Sequence, residues 1–244
     1  MLAKKRSKRQ RALLKRLLLL VLLALVLGGA VYLVYFSGVF DIEEVKVEGG
    51  ELVPTFDGEA FKGSNILFFN LELNLDDYPK IATYEVQKDY LKRSLKITFG
   101  GRERFVIWCI GEEANDCFWV DQTGIVFSNA PDLKGPLVFR LVRDFSNRDL
   151  KIGDTVLEEK FFKNLKLAFQ FLDETGITAS EIKLENLRFR EVTAQTSEGP
   201  SILFSLEEDP GFAKGVVNSL RSSGEWSVLN YLDLRIKDRA YYSQ

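Results

Sequence analysis

The sequence predicts an α+β protein carried on one N-terminal membrane helix. Three observations lead there. An uncharged apolar run, Leu17 to Phe36, follows a strongly basic start. The rest of the chain is rich in strand-like stretches, several with apolar residues at every second position. Among them sits one long amphipathic helical pattern near residues 157–175.

Twenty helical residues rise about 30 Å, the depth of a bilayer's hydrocarbon core, and a helix satisfies its own backbone there. Tyr32, Tyr35 and Phe36 close the run with rings suited to the headgroup boundary. Residues 1–16 carry Lys4, Lys5, Arg6, Lys8, Arg9, Arg11, Lys15 and Arg16, and no acid precedes Asp41. The positive-inside rule then puts a basic tail (1–16) in the cytoplasm, a transmembrane helix at 17–36 and the remainder outside. A cleaved signal peptide is the competing reading, but its apolar core usually ends after about 7–15 residues. A soluble core helix would show a polar face, and this run has none.

The net charge of −2 hides an asymmetry: beyond residue 16 there are 25 Lys and Arg against 35 Asp and Glu. An acidic external region is a poor partner for nucleic acid, so the basic tail is read as topology and lipid contact. The chain has no histidine, which removes the commonest general acid/base and metal ligand. No G-x-S-x-G or phosphate-cradling glycine motif occurs, and carboxylate clusters such as Glu112/Glu113 and Glu207/Glu208/Asp209 sit in polar, turn-like surroundings. No catalytic group, cofactor, metal or small-molecule substrate is therefore expected. The enzyme alternative is an anchored wall hydrolase using paired carboxylates.

In chain order, the basic tail reads as solvated and unfolded. After the anchor, Ile42, Val45 and Val47 mark a strand ending at Gly49-Gly50. Residues 51–64 read as loop with one helical turn near Glu59–Phe61. Ile66, Leu67, Phe68 and Phe69 are expected in the core, followed by a short helix from Asn70 to Tyr78 that Asn70 caps and Pro79 ends. Residues 81–88 and 94–99 read as paired strands. Gly100-Gly101 breaks the pattern.

Beyond it, VIWCIGEEANDCFWV suggests a hairpin in which Cys109 and Cys117 face each other. An external location permits a disulfide; a pair of free thiols is the alternative. A turn at Asp121–Gly124 joins the next two strands, and LVFRLV follows the loop bracketed by Pro131 and Pro136. Phe161, Leu165, Ala168, Phe169 and Leu172 fall on one helical face, which Gly176 stops. Strands follow near Ile182–Leu184, Leu187–Thr193 and Ser201–Leu206, and a short helix near Phe212–Leu220. The chain ends in one long strand, SVLNYLDLRIKD, with Val228, Leu232, Leu234 and Ile236 on one side.

These stretches resemble the bacterial cell-division FtsQ (DivIB) family. Phe40-Asp41-Ile42-Glu43-Glu44-Val45-Lys46-Val47-Glu48-Gly49 matches its F-x-I-x-x-V-x-V-x-G opening, and Gly63-Ser64-Asn65-Ile66-Leu67 its G-x-N-I stretch. Val86-Gln87-Lys88 and Ser94-Leu95-Lys96-Ile97 follow, with Glu103-Arg104 closing the module. Val120-Asp121-Gln122-Thr123-Gly124-Ile125-Val126-Phe127 and Tyr231-Leu232-Asp233-Leu234-Arg235 match two later motifs. The chain departs from the family at Leu91-Lys92-Arg93, where a proline is usual, and in its cysteine pair.

The resemblance implies a POTRA-like α/β module over 40–103 and an FtsQ-type β domain with packed helices over 104–244. It implies a scaffold in the cytoplasmic (inner) membrane at the division septum, without chemistry of its own. Its partners would be FtsB- and FtsL-like proteins and other divisome membrane proteins, bound by strand addition at the C-terminal strand. The implied contact residues are Arg235, Ile236, Lys237, Asp238, Arg239, Ala240, Tyr241 and Tyr242, and Val86 and Lys88 would form a recruitment surface. The runner-up is an anchored POTRA-containing component of a secretion or envelope complex.

Overall fold

The computed structural model describes residues 2–111, 116–131 and 140–243, the backbone alone for 2–12. It is an α+β structure: an N-terminal helix, then a sheet-rich region. The expected turn at residues 112–115, with Glu112 and Glu113, and the stretch 132–139, with Pro136, lie outside the described residues.

Helix α1 runs from Leu2 to Phe36. The basic start is therefore helical rather than an unfolded tail. Once the apolar run has nucleated a helix, each added residue gains a hydrogen bond at little cost, and Leu, Ala, Lys, Arg and Gln all propagate well. Within it, Leu13–Phe36 is long and apolar enough to cross a membrane, and none of that stretch is buried inside the protein.

The chain forms two compact units, Met1–Leu73 with Thr83–Gly100, and Asn74–Ala82 with Gly101–Gln244. The first is built on a three-stranded sheet ordered β1-β3-β2: β1 (Glu44–Glu48), β2 (Ile81–Asp89) and β3 (Ser94–Gly101). β1 lies parallel to β3, Glu44 opposite Ser94. Ile42, Ile66 and Leu95 form its buried centre, with Phe40, Val45, Phe61, Phe69 and Val86 packed around them.

Two expectations fail here. The helix expected over Asn70–Tyr78 is one 3-10 turn, Leu75–Asp77, capped by Asn74 through a bond from the Asp76 N–H. Leu71, Leu73 and Leu75 alternate with polar residues, so an extended run keeps all three half-buried, whereas a helix would scatter them. The Tyr84 hydroxyl donates to the Leu71 carbonyl at 3.1 Å and holds that run. The apolar quartet also divides. Ile66 is fully buried and Phe69 half-buried, but Leu67 and Phe68 are 37% and 55% exposed.

Among the described residues the second unit holds a nine-stranded mixed sheet in the order β12-β11-β10-β9-β8-β7-β4-β5-β6. Its strands are β4 (Val106–Ile110), β5 (Cys117–Val120), β6 (Val126–Asn129), β7 (Leu141–Asp144), β8 (Ala179–Leu184), β9 (Glu191–Thr196), β10 (Ser201–Ser205), β11 (Tyr231–Leu234) and β12 (Tyr241–Ser243). Helices α2 (Glu159–Thr175) and α3 (Lys214–Ser222) share one buried core with its inner face. Phe161, Phe162, Leu165, Ala168, Phe169, Phe171 and Leu172 are all buried on α2. Gly176 ends the helix with φ +62°, a left-handed conformation that glycine adopts without strain.

Strand alternation sends Val106 and Trp108 into that core and Ile107 and Cys109 to the opposite face, where Cys117, Trp119, Phe127 and Leu141 join them. Cys109 pairs directly with Cys117 across β4 and β5. The structure joins them in a buried disulfide with Cα atoms 4.0 Å apart.

Two buried carboxylates organise the loops of this unit. Asp144 is fully buried; its Oδ2 accepts from the Trp108 indole N–H at 3.1 Å and from Arg148 Nε at 3.1 Å, and its Oδ1 from the Ser146 N–H at 2.9 Å. Asp121 Oδ1 accepts from the Thr123 N–H (2.8 Å), the Thr123 hydroxyl (2.7 Å) and the Ile125 N–H (3.0 Å), which fixes the turn between β5 and β6. Its Oδ2 takes a bond from Arg102 Nη1 at 2.6 Å.

Candidate functional site

The C-terminal residues build a hairpin at one border of the large sheet. The expected single long strand is broken. β11 ends at Leu234, the chain turns through residues 235–240, and β12 returns antiparallel with Leu232 opposite Tyr242. Asp238 has φ +56°, in the left-handed region that aspartate tolerates in turns, and the Arg239 N–H donates to the Ile236 carbonyl at 3.1 Å. Val228, expected within the strand, lies in a preceding 3-10 turn and is exposed.

Arg235 decides why the strand stops. Its N–H and Nε both reach Asp233 Oδ1, at 3.0 and 2.9 Å, and its Nη2 reaches Asp233 Oδ2 at 2.6 Å. Nη1 crosses to Glu191 Oε2 at 2.7 Å, so the guanidinium links β11 to β9 over the intervening β10. The Arg235 bonds, opposed by partial burial, hold the Asp233 carboxyl below its usual range, and Asp233 with Glu191 pushes the guanidinium further up. Curling back to bind Asp233 takes the backbone out of the extended course that Arg235 and Ile236 would need to prolong β11.

Of the eight residues that the resemblance singles out, the structure gathers all into this hairpin but gives them different surroundings. Arg235 is half-buried in its clamp, and Ala240 packs against the main core. Ile236, Lys237, Asp238, Arg239, Tyr241 and Tyr242 are exposed. Tyr241 shares a face with Asp233, and Tyr242 shares the opposite one with Leu232. Tyr231 on β11 is 40% exposed as well. Sequence reasoning missed Tyr231 and the clamp. The Asp233-x-Arg235 spacing could have suggested half of the clamp, whereas nothing local points to Glu191.

The two borders of the sheet differ. The outer side of β6 is covered: the Val126 N–H donates to the Asp154 carbonyl at 2.9 Å, the Gly153 N–H to the Val126 carbonyl at 2.8 Å, and Ile125 bridges to Thr155. β12 has no strand beyond it among the described residues. A strand in that position can accept another chain by main-chain hydrogen bonding, with side-chain contacts setting the choice.

Val86 and Lys88 lie in the first unit, both on the inner side of β2 and half-buried. Val86 packs against the Ile42–Ile66–Leu95 centre, and Lys88 Nζ donates to the Phe69 carbonyl at 2.5 Å. As the structure stands, both serve the unit's own packing.

A cleft of about 610 Å³ in the second unit is lined by Arg104, Phe105, Arg140, Phe169 and Asp173 among others. Its charges are already engaged: Arg140 lies over the Phe105 and Phe169 rings and pairs with Asp173 at 2.8 Å. A scan against protein-family models finds none that matches the chain. A search of curated proteins finds no match either.

Proposed function

We propose that the chain is a single-pass membrane scaffold that presents β12 to an incoming strand of a partner protein. The partner class is taken from the FtsQ (DivIB) resemblance: small FtsB- and FtsL-like division proteins, joined by other divisome membrane proteins. In this reading α1 spans the cytoplasmic membrane with its basic end inside. The first unit is a POTRA-like module, and the second carries the partner site at the septum. The scaffold catalyses nothing.

One observation carries the reading. The large sheet is covered at β6 and uncovered at β12 among the described residues, and Tyr241 and Tyr242 of that uncovered strand are both exposed. Tyrosine and arginine are common anchors at interfaces, and Arg239 stands beside them.

The test is recovery of partners from cross-linked source membranes, comparing the full chain with one ending at Asp238. That truncation removes β12 and leaves the Asp233–Arg235–Glu191 clamp. FtsB- or FtsL-like single-span proteins captured by the full chain alone support the proposal. Equal capture by both chains moves the site to another edge, such as β2. Capture of secretion components instead promotes the envelope-complex alternative and removes the division reading.

A further inference from the structure

The C-terminal end of α1 is fastened to the first unit in a way that membrane spanning does not require. Helix ends leave carbonyls without intrahelical partners. The Val34 carbonyl accepts from Asn65 Nδ2 at 2.6 Å, and the Leu33 carbonyl from the Ser37 hydroxyl. Asn65 also shapes its own loop. Its Oδ1 accepts the Leu67 N–H at 3.0 Å, and its carbonyl accepts the Phe68 N–H at 3.2 Å. The next N–H, of Ile66, donates to the Phe40 carbonyl at 2.8 Å. The product is a tight turn, pinned to the helix exit, with Leu67 and Phe68 at its tip.

Those two side chains are the members of the apolar quartet that the core leaves out. The Phe68 ring stacks on Tyr35 with centroids 4.8 Å apart, while 55% of the residue stays exposed. Tyr35 belongs to the last turn of α1, with Tyr32 and Phe36 stacked beside it. Rings at that position settle at the headgroup boundary of a spanning helix. A ring in contact with Tyr35 lies at the same depth, so lipid supplies the apolar surroundings that the fold withholds from Phe68.

We infer that the Leu67–Phe68 tip is a second membrane contact, inserted into the interface of the leaflet at the C-terminal end of α1. The inference rests on α1 spanning the bilayer. The same exit holds the turn between β2 and β3, through Arg93 Nη1 and the Gly38 carbonyl at 3.3 Å, and Leu91 at that turn's tip is 97% exposed. The contact would keep the first unit seated on the membrane instead of swinging on its helix.

Full-length protein in phosphatidylcholine nanodiscs tests this, with an NBD fluorophore placed in turn at F68C, L25C or E51C. The native cysteines are buried in their disulfide and do not take the label. Position 25 reports the span; position 51 is exposed and follows β1, away from the helix exit. Lipids carrying a shallow doxyl quencher are expected to remove about half of the F68C emission, the depth of an interfacial group being about 5–10 Å. They should leave E51C unchanged, and a deep quencher should act on L25C. Quenching at L25C with F68C behaving like E51C overturns the lipid contact and leaves the span standing. Absence of quenching at both L25C and F68C removes the span and the contact together.

Discussion

Buried carboxylates are the most consequential single residues in the second unit. Burial pushes the Asp121 carboxyl up, but bonds from Thr123, Ile125 and Arg102 outweigh it and hold the group below its ordinary value of 3.8. Asp233 is held down by Arg235 in the same sense. A depressed carboxyl contributes stability in full above its unfolded value, and that contribution is lost as pH falls through the folded value. Urea unfolding should therefore show stability falling below about pH 4. D121N should weaken the protein at pH 7 and show a shallower acid dependence; parallel curves would count against this account. Asp144→Ala leaves the Trp108 N–H without its acceptor and Arg148 without its carboxylate, held only to the Val156 carbonyl, and should cost about 3–5 kcal/mol by the same assay. Gly124 has φ +88°, and an added Cβ would meet the Phe162 ring at 3.1 Å. Gly124→Ala should cost about 1–3 kcal/mol, through backbone strain and crowding together.

Elements divide by how much of their shape is local. The α2 stripe is readable as helix because its apolar residues repeat on one face, and its fully buried Phe171 meets Phe204 of β10 edge-on at 5.7 Å. Phe171→Ala should lower stability by about 3–5 kcal/mol in thermal or urea melts. The β4–β5 hairpin is closed by the Cys109–Cys117 bond. Replacing both cysteines by serine should cost about 2–3 kcal/mol, on the loop-closure argument for a short ring. The C-terminal strand was legible in kind and wrong in length. Alternation continues past Leu234 to Ile236, but Arg235 is bound to Asp233 and Glu191, so the chain turns and β12 becomes the border. Periodicity describes which side a residue would face, and it cannot foresee a clamp from a distant strand.

At the level of the whole molecule, charge and hydropathy separate along the chain: a basic start, an apolar run, then an acidic remainder. A chain lacking residues 2–36 should leave the membrane fraction in alkaline carbonate, while the full chain stays with it. Release of both would make α1 a peripheral helix and not a span. The β12 truncation leaves α1 and the Phe68 tip in place, whereas deleting residues 2–36 also removes Tyr35 and the Val34 carbonyl that hold the tip, so the tip is tested in the full chain.

The sequence by itself determined the apolar helix, the amphipathic α2, the alternating strands and the cysteine hairpin, all of which follow from repeats a few residues long. The tertiary structure alone decided that Leu67 and Phe68 leave the core, that residues 70–74 run extended, that Asp144 gathers Trp108 and Arg148, and that β12 and not β11 borders the sheet. Those outcomes depend on contacts between residues far apart in the chain, which local spacing does not encode. The candidate site lies in that second group: its residues are adjacent in sequence, but the hairpin they form pairs β12 with β11, and Arg235 is held in part by Glu191, more than forty positions away.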